Sequence, residues 1–354
     1  EQLQQQGLAQ EAVAELRSAL EIEPGSAEAN YRIATLLAKN DQPAEAVSFF
    51  RETTRIDPAR TDAALAEAKL ILFDDTARAE ELVARILERE PGNATAQLRR
   101  SEVALARGRT AEALAAAQAA AELAPSTGMV HMQLGTVQMA RLRELALRGE
   151  QPPDAIYRDA ERELKRAAEL FPHGIHARLA LGRLYGSWRD HGEEALAAFR
   201  DAIEVAGSDA ARSKAAAAAV DFARATGNEA FERASLAAMV EATPQHLAAW
   251  DALARLEEKR ATGAGREVYA RLLALRARDI EAHLHYSLYL FENDRPDDAF
   301  RHLEEQADRG AQPAVALDQI AALRLRRGET KKARATIDRL AEEFPRHPRT
   351  ELAK

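Results

Sequence analysis

The chain contains no cysteine among its 354 residues. Disulfides, thiolate nucleophiles and cysteine-held zinc or iron–sulfur centres are therefore excluded. Aromatic residues are scarce, at 5%, while alanine is abundant. Small side chains suit helices packed close together rather than one large core. No stretch approaches the roughly 20 apolar residues that a membrane-spanning helix needs. The alanine-rich tracts Ala113–Ala121 and Ala215–Ala219 are short. The net charge is −8 and no basic run dominates, so nucleic acid and direct membrane insertion are not expected.

Catalytic signatures are also lacking. The nine histidines are scattered, with no His-Glu-x-x-His or other dense ligand spacing, so no metal and no cofactor are expected. His283 and His285, at i and i+2, fall on different helix faces. Gly263-Ala264-Gly265 has no strand before it and no Gly-Lys-Ser/Thr after it. It reads as an inter-helix turn rather than a phosphate loop. No serine lies in Gly-x-Ser-x-Gly. Acid–base neighbours such as Glu161/Lys165 and Glu342/Arg346 have the spacing of solvated helix-surface pairs. The expectation is a protein that is not an enzyme.

What the chain does have is a period. Pro24, Pro58, Pro91 and Pro125 recur 34, 33 and 34 residues apart, and Pro172, Pro244, Pro313 and Pro345 follow further on. A fixed period of this length means stacked supersecondary units. Each unit reads as two helices. In 27–58, Tyr31, Ile33, Ala34 and Leu37 share one helical stripe, Asn40 to Pro43 turn the chain, and Ala46, Phe49, Phe50 and Ile56 form the next. Pro43 falls at the first turn of the second helix, where proline is tolerated.

The second-helix pattern repeats as Ala12/Leu16/Pro24, Ala46/Phe50/Pro58, Ala79/Val83/Pro91, Ala113/Ala117/Pro125, Ala160/Leu164/Pro172, Ala195/Phe199 and Ala333/Ile337/Pro345. The first-helix pair appears as Leu134-Gly135 and Leu181-Gly182, with Tyr185 downstream, and as Trp250 with Leu253-Ala254. These patterns resemble the tetratricopeptide repeat over essentially the whole chain, as about ten units. The resemblance implies an all-α, right-handed α-solenoid, or superhelix, of helix-turn-helix repeats in one domain, 1–354. Its first helices would line a concave groove that binds an extended peptide or a partner helix.

Departures from the pattern are local. The unit ending at Pro172 is 47 residues long, and its extra length falls at 141–154. There Leu142, Leu145 and Ala146 extend the first helix, and Gly149 to Pro153 break it. This insertion is either a recognition element or a neutral extension. The unit near 208–243 has alanines in place of a large aromatic and is expected to be a soft joint. The first unit lacks most of its first helix, and Arg349–Lys354 reads as the start of another. Together with an opening at Glu1 in mid-pattern, this suggests a longer parent protein.

Met129, Met132, Thr136 and Met139 run at spacings of 3, 4 and 3, one stripe of one helix. At the repeat spacing, Tyr31, Leu65, Leu98, Met132 and Leu179 correspond. Methionine suits a binding surface because its unbranched side chain adapts to its partner. The plainer reading is that the stripe packs against the adjacent repeat. Continuing the register gives Lys214, Asp251, Tyr286 and Asp318, a more polar face. Lys69, Arg183, Lys214, Arg255 and Lys259 fall on it as solvated charges or as grips for a carboxylate or phosphate. The expected groove residues are therefore Tyr31, Leu65, Leu98, Met129, Met132, Met139 and Leu179 as apolar anchors, with Arg183 and Lys214 orienting a polar end.

The function expected is a non-enzymatic scaffold binding a protein or peptide in the concave groove, as part of a bacterial envelope or multiprotein assembly, with a lean toward the periplasm over the cytoplasm. The alternative is the recognition arm of a larger enzyme, such as a glycosyl- or sulfotransferase.

Overall fold

In a computed structural model the chain is all-α, a helical repeat solenoid. The structure describes residues 2–188 and 191–348, with side chains from residue 10. Arg349–Lys354, expected to begin another helix, lies outside the described residues. Nineteen helices are present among the described residues. The first, α1 (Gln2–Ile22), stands alone. Eight hairpins follow: α2 (Ala27–Lys39) with α3 (Pro43–Ile56), α4 (Thr61–Leu70) with α5 (Thr76–Arg89), α6 (Ala94–Ala106) with α7 (Thr110–Leu123), α8 (Gly128–Leu147) with α9 (Asp154–Leu170), α12 (Asp209–Thr226) with α13 (Glu229–Ala242), α14 (Leu247–Arg260) with α15 (Ala264–Leu275), α16 (Ile280–Glu292) with α17 (Pro296–Arg309), and α18 (Pro313–Arg326) with α19 (Thr330–Glu343); between the fourth and fifth come α10 (Ile175–Ser187) and α11 (Gly192–Glu204).

The chain forms two compact units, Glu1–Ala195 and Leu196–Lys354. The division falls inside α11, and the alanine-rich stretch 208–243 belongs wholly to the second unit. Within each unit a helix packs mainly on its sequence neighbours, and first helices of successive hairpins also touch, as α6 does α8 and α14 does α16. Stability in such an array is a sum of hairpins and nearest-neighbour seams.

The repeating alanine explains how the hairpins close. Ala46, Ala79, Ala113, Ala160, Ala195 and Ala333 are all fully buried. In the α8–α9 hairpin, a Cβ on Gly135 would lie 2.5 Å from Leu164 Cδ2 and Cγ and 3.5 Å from the Ala160 carbonyl. Larger residues here would force the helix axes apart. Trp250 is almost fully buried, and its indole N–H donates to the Pro244 carbonyl at 3.0 Å.

Local signals set the helix ends. Ser26, Asp75, Asn93, Ser208 and Asn228 accept backbone N–H bonds as N-caps. Pro43 and Pro296 open α3 and α17. Pro313 is also a helix opener, at the start of α18, and does not sit in the preceding turn as Pro244 does. The long unit extends as its sequence suggests. Helix α8 runs 20 residues, Gly149 takes a positive φ of 73° to end it, and α9 starts at Asp154.

One core position departs from the repeat. Glu67 is fully buried on α4, bonded to Arg51 at 3.1 Å, with Arg78 3.9 Å away and Oε2 without a hydrogen-bond partner.

Two outcomes follow for stability. Gly135→Ala gains up to about 1 kcal/mol of helix propensity but overpacks against Leu164, at a cost of about 1–3 kcal/mol. The overlap dominates, so the urea midpoint should fall. Hydrogen exchange should be faster across 208–243 than across 128–170, because alanine seams remove less apolar surface from water. Equal protection would reject the soft joint.

Candidate functional site

The nine residues expected to line a groove divide by burial. Leu65, Leu98 and Leu179 are only 6%, 3% and 3% exposed. Leu65 belongs to a core cluster with Leu82, Val83 and Ile86, and Leu98 packs with Ala120 and Val130. At their register the next helix closes over the side chain, so these three serve the seams and offer no surface. Tyr31 is half-buried, with its ring edge-on to Phe50 at 5.8 Å and the Arg60 guanidinium 4.1 Å above it. Arg183 is exposed on α10. Lys214, exposed on α12, belongs to the other unit.

The methionines behave differently. Met129 is 44% exposed, and Met132 and Met139 are half-buried. Met129 and Met132 form one side of a cavity of about 500 Å³, with Leu170, Phe171 and Pro172 opposite and His173 and His176 at its edge. Helix α9 supplies Leu170 in its last turn and Phe171 as its C-cap. The Phe171 ring lies against Gly128, the first residue of α8, where a Cβ would stand 2.5 Å from Phe171 Cε2. That missing methyl group makes the notch in which the ring sits, with 47% of the residue still exposed. The periodicity of α8 gives Met129 and Met132. It gives no hint of Phe171, which arrives from the end of α9, the second helix of the same hairpin. The only sequence signal is a phenylalanine directly before Pro172, where Pro24 and Pro91 follow glutamate and Pro58 follows aspartate.

The second unit carries a polar network on the corresponding helices. Asp251 on α14 accepts a hydrogen bond from Tyr269 on α15 and meets His285 Nδ1 on α16 at 2.7 Å. Burial opposes ionisation of Asp251, but its bonds with His285 and Tyr269 prevail and lower its pKa. The bond with Asp251 raises the pKa of His285. Burial and then Asp251 push the Tyr269 phenol well up. The Gly263-Ala264-Gly265 turn does receive an anion, but an internal one. Glu258 accepts from Gly263 N–H at 2.7 Å, Gly265 N–H at 3.1 Å and Tyr289 O–H at 2.5 Å. His283 does face away from His285, meeting His302 at 2.9 Å and the Ala277 carbonyl at 3.0 Å. Among the described residues no group of three or more His, Asp or Glu is placed to hold a metal ion. No helix among them is long and apolar enough to cross a membrane.

Family models described as tetratricopeptide repeat match residues 3–70, 73–126 and 315–347. The chain is a tetratricopeptide repeat protein. Comparison with curated proteins gives no match. Among solved structures, the thermophilic tetratricopeptide repeat protein TTC0263 of Thermus thermophilus is 25% identical. The match covers 55% of this chain and 98% of that one, with a TM-score of 0.46. Human IFIT1, solved as a dimer with m7Gppp-AAAA, is 15% identical over 84% of this chain and 67% of its own, with a TM-score of 0.57. The Cut9–Hcn1 hetero-tetramer structure of APC/C is similar at 16% identity over 89% of this chain and 59% of that one, with a TM-score of 0.46. At such identities the IFIT1 likeness shows the fold alone.

The histidines set opposing pH responses. Burial, then the neighbouring His283, lowers the His302 pKa from its ordinary 6.5 to about 4. The unfolded chain takes up that proton near pH 6.5 and the folded chain does not. This stability is full above 6.5 and is lost as pH falls toward 4. His285, with a raised pKa, contributes below 6.5 and loses its contribution as pH rises through the raised value. In urea titrations between pH 4.5 and 8, His302→Gln should flatten the acid-side loss, and His285→Gln the loss on the alkaline side.

Proposed function

We propose that this tetratricopeptide repeat protein is a non-catalytic scaffold that holds a protein partner on the face of its first helices. The observation that carries the reading is the open apolar cavity between Met129, Met132 and Phe171. Residues nearly half exposed and apolar, clustered around a depression, are costly to leave in water and mark a surface meant to be covered. Met139 continues the same stripe one turn beyond Thr136, so the cover extends along α8. Arg183 supplies an exposed cation on α10, two turns beyond His176 of the cavity. The chemistry favours a polypeptide over nucleic acid, because the net charge is −8 and the cavity is lined mainly by apolar side chains.

Cross-linked capture from the native host tests this. The triple variant Met129→Glu, Met132→Glu, Met139→Glu should keep its helical content and lose at least ten-fold in partner recovered. A partner retained in full would move the site away from this face. An m7Gppp-AAAA oligonucleotide, present in the IFIT1 structure, should show no measurable binding to the chain.

A further inference from the structure

We infer that the partner segment is acidic, inserting one bulky apolar side chain between Met129 and Phe171 and setting a carboxylate against Arg183. The inference rests on the scaffold reading above and specifies its partner. No carboxylate lines the cavity, and its only ionisable lining groups are the imidazoles of His173 and His176. On α10, His176, Ala180 and Arg183 share one stripe at i, i+4 and i+7. On α8, the methionine stripe continues from Met139 to Arg143 at i+4. Arg143 and Arg183 are both exposed, and neither makes a hydrogen bond, ion pair or ring contact among the described residues.

That is unusual for arginines on first helices or beside them in a chain so rich in acid. Arg32 and Arg60 are both bonded to Glu28, and Arg99 to Glu102. Three carboxylates of α8 and α9 are taken too. Glu144 is held by Thr110 and Arg148, Glu161 by Lys165 and Tyr185, and Glu163 by His131. Two guanidiniums with no partner among the described residues thus lie further along α8 and α10, the helices that carry Met132 and His176 of the cavity. Their complement is a carboxylate, which a guanidinium meets through two parallel hydrogen bonds. A basic partner would find no acid in the cavity lining, whatever the chain's overall charge.

The spacing fixes the motif further. Seven residues of helix from His176 to Arg183 rise about 10 Å. An extended peptide covers that in about three residues. The anchor is therefore an aromatic or long aliphatic side chain, with an aspartate or glutamate about three residues away. Gly128 shapes the anchor site, because any side chain there displaces the Phe171 ring. That ring is half exposed and free to yield, so Gly128→Ala alters the cavity without breaking the hairpin.

A phage-displayed 12-residue peptide library selected on the full chain tests the inference, with enriched sequences resynthesised for fluorescence anisotropy. The expected enrichment is Phe, Trp, Leu or Met with Asp or Glu two to four residues away. Gly128→Ala and Met132→Glu should each weaken such peptides at least ten-fold. Arg183→Glu should weaken them about ten-fold and strengthen binding of the same peptide with its acid changed to lysine. Enrichment of basic or uncharged peptides, or indifference to Arg183→Glu, overturns this inference and leaves the scaffold reading standing. Indifference to Met132→Glu and Gly128→Ala as well removes both readings from this cavity, and no enrichment at all counts against both. Circular dichroism melts confirm that each variant is folded.

Discussion

The structure depends on how near two helices of a hairpin can come. A fully buried alanine recurs on the second helices α3, α5, α7, α9, α17 and α19, glycine takes that role at Gly265 of α15, and in the α8–α9 hairpin Gly135 removes even the Cβ that would meet Leu164. Dispersion between close-packed atoms falls away within a fraction of an ångström. A crossing widened by one methyl group would therefore loosen the hairpin and both seams beside it. Sparse aromatic content follows from the same constraint. Large side chains such as Phe50, Leu164 and Phe199 are used one turn beyond the alanine, where the axes have diverged enough to hold them.

The two units meet the need for seam cohesion differently. In the first, apolar clusters run along the helices, and the Met129–Phe171 cavity is among the apolar surface that remains uncovered. In the second, first helices are tied by Asp251 to His285 and Glu258 to Tyr289, across 34 and 31 residues of sequence. Those bonds consume polar groups that would otherwise be open to a ligand. On the polar face read in the sequence, Asp251 is internal stitching.

Much of this was legible in the residues. Hairpin order, the buried alanines, the tryptophan at 250 and the extension of α8 through Leu142 and Leu145 follow from period and turn chemistry. Helical spacing also marked the methionine stripe. It did not tell how far a neighbouring helix covers a given place. Leu98 and Met132 occupy the same register, yet one is sealed by Ala120 and Val130 while the other borders a cavity. Phe171 was invisible because its role depends on an atom that Gly128 lacks. Glu67, buried on a first helix among apolar neighbours, was equally unreadable, because its partner Arg51 comes from the previous hairpin.

The lengthened hairpin has one more consequence. Helix α8 has 20 residues against 13 in α6 and α10, an overhang of about 10 Å. The start of α9 is fastened to the end of the next first helix. Tyr157 stacks on Trp188 at 5.0 Å and 13°, and its hydroxyl donates to the Ser187 carbonyl at 3.1 Å. A periodic surface offers a bound chain several nearly equivalent positions, each displaced by one repeat. The overhang in one repeat of the first unit breaks that translational degeneracy, so positions along these helices are no longer equivalent.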